Sequence, residues 1–149
     1  MFTPHHVFMP KHPKGWLEEE ELTHSVIGAF FEVFNTLGFG FLESVYTRAL
    51  QVELEYRGHR VVREYPVTIM YRGVEVGRHR LDLVVDDKLV IEVKSIEQLP
   101  RDFSRQLYNY LKATRFEVGL FLHFRRSADF YRIVFKNQDK DRREKIRKQ

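Results

Sequence analysis

The stretch from Arg80 to Lys94 constrains the fold more than any other part of this 149-residue chain. It reads Leu81-Asp82-Leu83-Val84-Val85, then Asp86-Asp87-Lys88, then Leu89-Val90-Ile91-Glu92-Val93-Lys94. Two apolar runs rich in β-branched residues flank a polar turn, which is the pattern of two paired strands. Side chains alternate faces along a strand, so Glu92 and Lys94 share a face while Ile91 and Val93 take the other. If Asp86, Asp87 and Lys88 form a three-residue loop, Val85 pairs with Leu89. Asp82 then lies directly across from Glu92, with Lys94 diagonal to Asp82. A two-residue loop instead sends Asp82 and Glu92 to opposite faces. The apolar residues favour the longer loop, which gathers Leu81, Leu83, Ile91 and Val93 on one shared face.

Facing carboxylates at cross-strand distance, roughly 4.5–5.5 Å between Cβ atoms, repel each other. A bound cation removes that penalty, and magnesium favours a few protein oxygens completed by waters and phosphate oxygens. Asp82, Glu92 and the backbone carbonyl of Val93 are the candidate ligands. Lys94 is placed to orient or deprotonate an attacking water, or to neutralise a phosphorane-like transition state. The bland alternative is a Glu–Lys pair on a solvated sheet face with Asp82 in a salt bridge, since Glu-x-Lys alone is a common triplet. The apolar setting of Glu92 and Lys94 tells against it, because charges in such a strand are costly unless partnered. His79 is expected on the opposite face of a regular strand from Asp82, in a structural role.

The rest of the chain supplies layers for this hairpin. Leu22 to Leu37 carries a helical stripe (Val26, Ile27, Phe30, Val33, Phe34, Leu37) with Thr23 as N-cap, and Gly38-Phe39-Gly40 ends it. A second helix is expected from about Leu42 to Arg57, with Leu42, Val45, Tyr46, Ala49, Leu50 and Leu54 inward and Gly58 closing it. The period then drops to two at Tyr65, Val67, Ile69 and Tyr71, followed by an Arg72-Gly73 turn and a strand from Val74 to Val85. Pro100 opens a helix to about Thr114, with Phe103, Leu107, Tyr110 and Leu111 on one face. Phe116 to Phe124 and Phe130 to Phe135 read as strands. The order α-α-β-β-β-α-β-β predicts a mixed α/β (α+β) domain with a central mixed sheet flanked by helices. Glu43 at the start of the second helix is favoured by the helix dipole. Gln106 shares a helix face with Tyr110 and borders the core, where it can orient a water or phosphate.

Composition excludes several chemistries. With no cysteine, there is no disulfide, no Cys-ligated zinc and no thiol catalysis. There is no GxSxG and no Walker-type glycine-rich loop. No run is long and apolar enough to span a membrane, and a cytoplasmic location is expected. His5, His6 and His12 lie in an N-terminal stretch that reads as a loose tail, where a solvated cluster is the simpler reading than a metal site. The net charge of +4 sits entirely in Lys136 to Gln149, which holds seven Lys or Arg against three Asp or Glu, so the remainder sums to zero. Such a tail grips phosphates or is a solvated, fraying terminus; the sequence leaves both open.

Taken together, Asp82, Glu92-Val93-Lys94 and Gln106-Leu107-Tyr108-Asn109-Tyr110 resemble the D…ExK…QxxxY pattern of the PD-(D/E)XK nuclease superfamily. Gly40-Phe41-Leu42-Glu43-Ser44-Val45-Tyr46 is similar to the signature of its GxxExxY family, and the likeness extends over about Leu22 to Phe135. The resemblance implies a restriction-endonuclease-like core over 22–135, between a flexible tail (1–21) and a basic tail (136–149). It implies a site of Glu43, Asp82, Glu92, Lys94 and Gln106 that takes Mg²⁺ or Mn²⁺, with Glu43 completing the metal site, directly or through a water. It further implies metal-dependent hydrolysis of phosphodiester bonds, in DNA before RNA, with a homodimer plausible. Tyr110, Lys140, Arg142, Arg143 and Lys145 are the candidate nucleic-acid contacts. The alternative is a nucleic-acid-binding module that keeps the fold without turnover. His123 departs from the family pattern, which has a small polar residue there, and reads as a satisfied strand-end histidine.

Overall fold

The computed structural model describes residues 17–140. The elements are α1 (Leu17–Leu37), α2 (Glu43–Tyr56), β1 (Val61–Tyr71), β2 (Val74–Val85), β3 (Leu89–Lys94), α3 (Phe103–Ala113), β4 (Val118–Phe124) and β5 (Ala128–Val134). This is the expected order. The first helix begins earlier than Thr23, which therefore lies inside α1, buried and without a hydrogen bond for its hydroxyl, and not at an N-cap. The third begins three residues after Pro100, whose carbonyl instead accepts from the Phe103 N–H in a preceding turn.

The five strands form one mixed sheet in the order β1-β2-β3-β4-β5. Only β3 and β4 run parallel, and α3 is the crossover that parallel neighbours require. On one face α1 and α2 cover Leu83, Val85, Leu89, Ile91, Val93, Leu120 and Leu122. On the other, α3 packs Leu107 and Leu111 against Leu81, Val84, Val90 and Phe121. The approach is close at Gly119, where a Cβ would stand 3.0–3.1 Å from the Leu107 side chain. Not all of the expected α2 stripe is inward: Tyr46, Leu50 and Leu54 are buried, but Leu42 and Val45 are exposed.

The three-residue loop is present: Val85 faces Leu89, Val84 faces Val90 and Leu83 faces Ile91. Asp86 and Asp87 both take positive φ in this turn. A hydrogen-bonded chain holds it, with Ser25 Oγ 2.7 Å from His59 Nε2 and His59 Nδ1 2.7 Å from Asp86 Oδ2. Although this has the order of an acyl-transfer triad, Ser25 sits mid-helix, where backbone N–H groups serve the helix and form no oxyanion hole. It acts as a clamp from α1 to the β2–β3 turn.

Leu81 does not share a face with Leu83; it packs under α3, while Leu83 packs under α1 and α2. The alternation slips at Asp82. Its neighbour in β1 slips too, since Val61 packs on the α1–α2 side and Tyr65, Val67 and Ile69 pack on the α3 side. The β1–β2 ladder runs from Arg63↔Leu83 to Tyr65↔Leu81 and skips Glu64 and Asp82. Glu64 adopts φ 55°, a left-handed conformation unusual for a non-glycine strand residue. The β2–β3 ladder likewise stops at Leu83↔Ile91. Asp82 is thus released from regular pairing on both sides, and the β2 residues just before it, Leu81 and His79, present the face opposite to that expected.

Candidate active site

The broken ladder brings the acidic residues together. The Val93 N–H donates to Asp82 Oδ2 at 2.7 Å, and the Asp82 N–H donates to Glu92 Oε1 at 3.3 Å. Carboxylate oxygens have replaced the backbone acceptors that a continuing ladder would offer. Val93 enters the site through its amide. Glu92 is buried, with 7% exposure. Burial first, and then the Asp82 charge, push its pKa up to about 8. Burial also raises Asp82, opposed by the Val93 N–H and by Lys94. The two carboxyls hydrogen-bond each other and share a proton, with Glu92 the more strongly raised of the two.

Glu43 comes from the far side. Lys94 Nζ lies 3.4 Å from Glu43 Oε1, and that oxygen is buried and makes no hydrogen bond. Burial raises the Glu43 pKa, Lys94 opposes this, and the Asp82 charge adds to it. The local sequence explains the placement. Gly38 and Gly40 take positive φ, and the Tyr46 hydroxyl donates to the Gly38 carbonyl at 2.6 Å and accepts from the Phe41 N–H at 3.2 Å. Tyr46 is fully buried and stacked on Phe124 at 4.1 Å. It ties the glycine turn to the core and so fixes where α2 begins, and Glu43 is its first residue.

From α3, Gln106 hydrogen-bonds the Tyr110 side chain, whose pKa is raised by burial first and then by the Glu92 charge. His79 stacks on Tyr110 with centroids 3.8 Å apart and planes 8° from parallel, and its Nε2 is 3.8 Å from Glu92 Oε1. The expectation that His79 faces away is therefore corrected: the slip at Asp82 turns His79 onto the Glu92 side. Burial, and then Lys94, lower the His79 pKa, so the imidazole is neutral near pH 7 and the contact is not an ion pair. No signal in the sequence marked the slip, because Leu81 and Leu83 are apolar whichever way they point. His123 is buried with Nε2 on the Ile96 carbonyl, a satisfied strand-end histidine.

A cleft of about 1150 Å³ adjoins the site through Glu43 and Lys94, while Asp82 and Glu92 do not line it. Its lining includes Glu43 and Lys94, Gln106, Asn109 and Tyr110 of α3, and Thr68, Ile69 and Met70 of β1. Its charged lining holds Lys94, Arg105 and Lys112, joined by Lys140 from the basic tail, against Glu43 and Asp102, a cationic excess to which the tail contributes. Lys140 Nζ is held by the carbonyls of Thr114 and Phe116, at 2.8 and 2.6 Å. Arg142, Arg143, Lys145 and the N-terminal histidines lie outside the described residues. None of the helices among those residues is long and apolar enough to cross a membrane.

Among the described residues no three His, Asp or Glu side chains already converge as a finished metal cage. What exists is a carboxyl pair sharing a proton, plus a Glu43 oxygen ion-paired with Lys94. This all-oxygen set fits a small hard cation, which takes one or two carboxylates and keeps waters and phosphate oxygens for the rest.

A profile of the PD-(D/E)XK nuclease superfamily matches residues 20–133. Among solved structures, the crystal structure of SSO0001 is similar, with a TM-score of 0.50 and 20% sequence identity over 87% of this chain. This chain spans 65% of that protein's length, and at that identity the likeness concerns the fold. No curated protein matches the sequence.

Proposed function

Because the chain belongs to the PD-(D/E)XK nuclease superfamily, we propose that it is a divalent-metal-dependent nuclease hydrolysing phosphodiester bonds, in DNA before RNA. Within the superfamily it is assigned to the GxxExxY branch through Gly40, Glu43 and Tyr46. The observation that carries the reading is the Asp82–Glu92 pair, held at a break in two β-ladders and faced by Lys94 and Glu43 at the head of a cationic cleft.

Asp82 and Glu92 hold Mg²⁺ or Mn²⁺, helped by the Val93 carbonyl, and Glu43 contributes directly or through a water. The bound ion supplies a water of lowered pKa and charge neutralisation at the phosphate. Lys94, paired with Glu43 and acting through its charge on the carboxyl pair, donates to the attacking water or to a non-bridging phosphate oxygen. Gln106 positions the same water, and Tyr110 lines the path of the strand. The cationic lining draws the polyanion in, and Lys140, Arg142, Arg143 and Lys145 extend this attraction along the tail.

The test is incubation of the full chain with single-stranded, duplex and branched DNA and with RNA, in Mg²⁺, Mn²⁺ or EDTA, alongside Asp82→Ala and Lys94→Ala. Metal-dependent cleavage lost in both variants supports the enzyme. Binding without cutting, indifferent to metal and to both substitutions, overturns it in favour of a binding module.

A further inference from the structure

We propose that His79 is a positioning residue for the Glu92 carboxylate, a role that rests on the metal-site reading above. Three observations converge on it. Its Nε2 is buried without a hydrogen-bond partner, an uncommon and costly state for an imidazole nitrogen. Its nearest carboxylate oxygen is Glu92 Oε1, at 3.8 Å, so a movement of about 1 Å brings the pair to hydrogen-bonding distance. Its ring is locked against Tyr110 by a near-parallel stack, which leaves that nitrogen little freedom to point elsewhere.

The same Glu92 oxygen accepts from the Asp82 N–H. With Nε2–H as a second donor, Glu92 Oε1 is held from two directions, and the other oxygen is left for a cation. Neutral imidazole suits this task, since it donates without adding charge beside Lys94. Partners that orient a ligating carboxylate typically change metal affinity 10- to 100-fold when removed. The slip at Asp82 is what makes the arrangement possible, because in a regular strand His79 would lie on the other face of the sheet.

Calorimetric titration of the full chain with MnCl₂ tests this, using the parent, His79→Phe, His79→Gln and Asp82→Ala, each checked for fold by circular dichroism and melting. Phenylalanine keeps the stack on Tyr110 and removes the donor; glutamine restores a donor. The expected result is affinity lowered at least about tenfold in H79F, with H79Q much nearer the parent, while the melting temperature of H79F stays close to the parent's. H79F binding within about twofold of the parent, while D82A has lost binding, overturns the role of His79 alone. Equal losses in H79F and H79Q overturn it as well. A parent that binds Mn²⁺ no better than D82A overturns the metal site, and the His79 role with it.

Discussion

Without a cation, the fold should lose stability as pH rises from 5 to 8, and Glu92 should be the chief cause. The folded protein holds the Glu92 proton up to about pH 8, whereas the unfolded chain releases it near 4.5. Between those values the folded state binds more protons, so stability falls with rising pH. The loss begins above the lower value and is complete once the higher is passed. At about 1.4 kcal/mol per pH unit the ceiling is roughly 5 kcal/mol, and water entry and local relaxation reduce such penalties to ~2–4 kcal/mol. In a domain of this size that is a fall of roughly 5–15 °C in Tm. Asp82 and Glu43 are raised too and act in the same direction, whereas His79, whose pKa is lowered, opposes the fall at the acid end of the window. Asp86 is lowered, so its contribution is lost only on acidification below the ordinary carboxylate range, outside this window. Thermal melts in EDTA at half-unit pH steps give the slope. Glu92→Gln, which keeps the shape but cannot ionise, should flatten it and melt above the parent at pH 8. Millimolar Mg²⁺ should recover the parent at pH 8. A parent that grows more stable from pH 5 to 8, or an E92Q variant with the parent's slope, refutes the reasoning.

Several other outcomes follow from the same geometry. Binding of Mn²⁺ should release about one proton near pH 7, read from calorimetry in buffers of different ionisation enthalpy, since the proton on Glu92 must leave. Lys94→Ala should reduce cleavage at least ~100-fold while DNA affinity in Ca²⁺, measured by fluorescence anisotropy, changes much less. Glu64→Val should cost ~1–3 kcal/mol in urea unfolding despite the strand preference of valine, because φ 55° suits no β-branched residue, whereas Glu64→Gly should be near neutral. Gly119→Ala should cost ~1–3 kcal/mol by pressing on Leu107 and lifting α3 from the sheet.

Much of this was legible in the sequence because the apolar pattern and the turn reinforced each other. Of Leu81, Leu83, Ile91 and Val93, which favoured an odd loop, the last three do share one covered face and Leu81 does not, and that loop sets Glu92 toward Asp82. The motif from Gly40 to Tyr46 was legible as a resemblance, but the task of its tyrosine was not, since a hydroxyl that ties a glycine turn leaves no periodic trace. The slip at Glu64 and Asp82 was hidden for a related reason. In a sheet covered on both faces, Leu81 is equally apolar on either side, and a shift of face changes no residue type. His79 was lost with it. The exposure of Leu42 and Val45 shows the opposite limit, where helical spacing alone does not say how wide the buried stripe is.

The central claim is that Asp82 and Glu92, with Glu43 and Lys94 beside them, hold one divalent ion. The most direct measurement is anomalous diffraction from crystals of the full chain soaked in MnCl₂ at pH 8. A single strong peak is expected within about 2.0–2.3 Å of one oxygen each from Asp82 and Glu92, absent in Asp82→Ala crystals. A peak bound elsewhere, or none at this pair while the carboxyls remain hydrogen-bonded to each other, contradicts it.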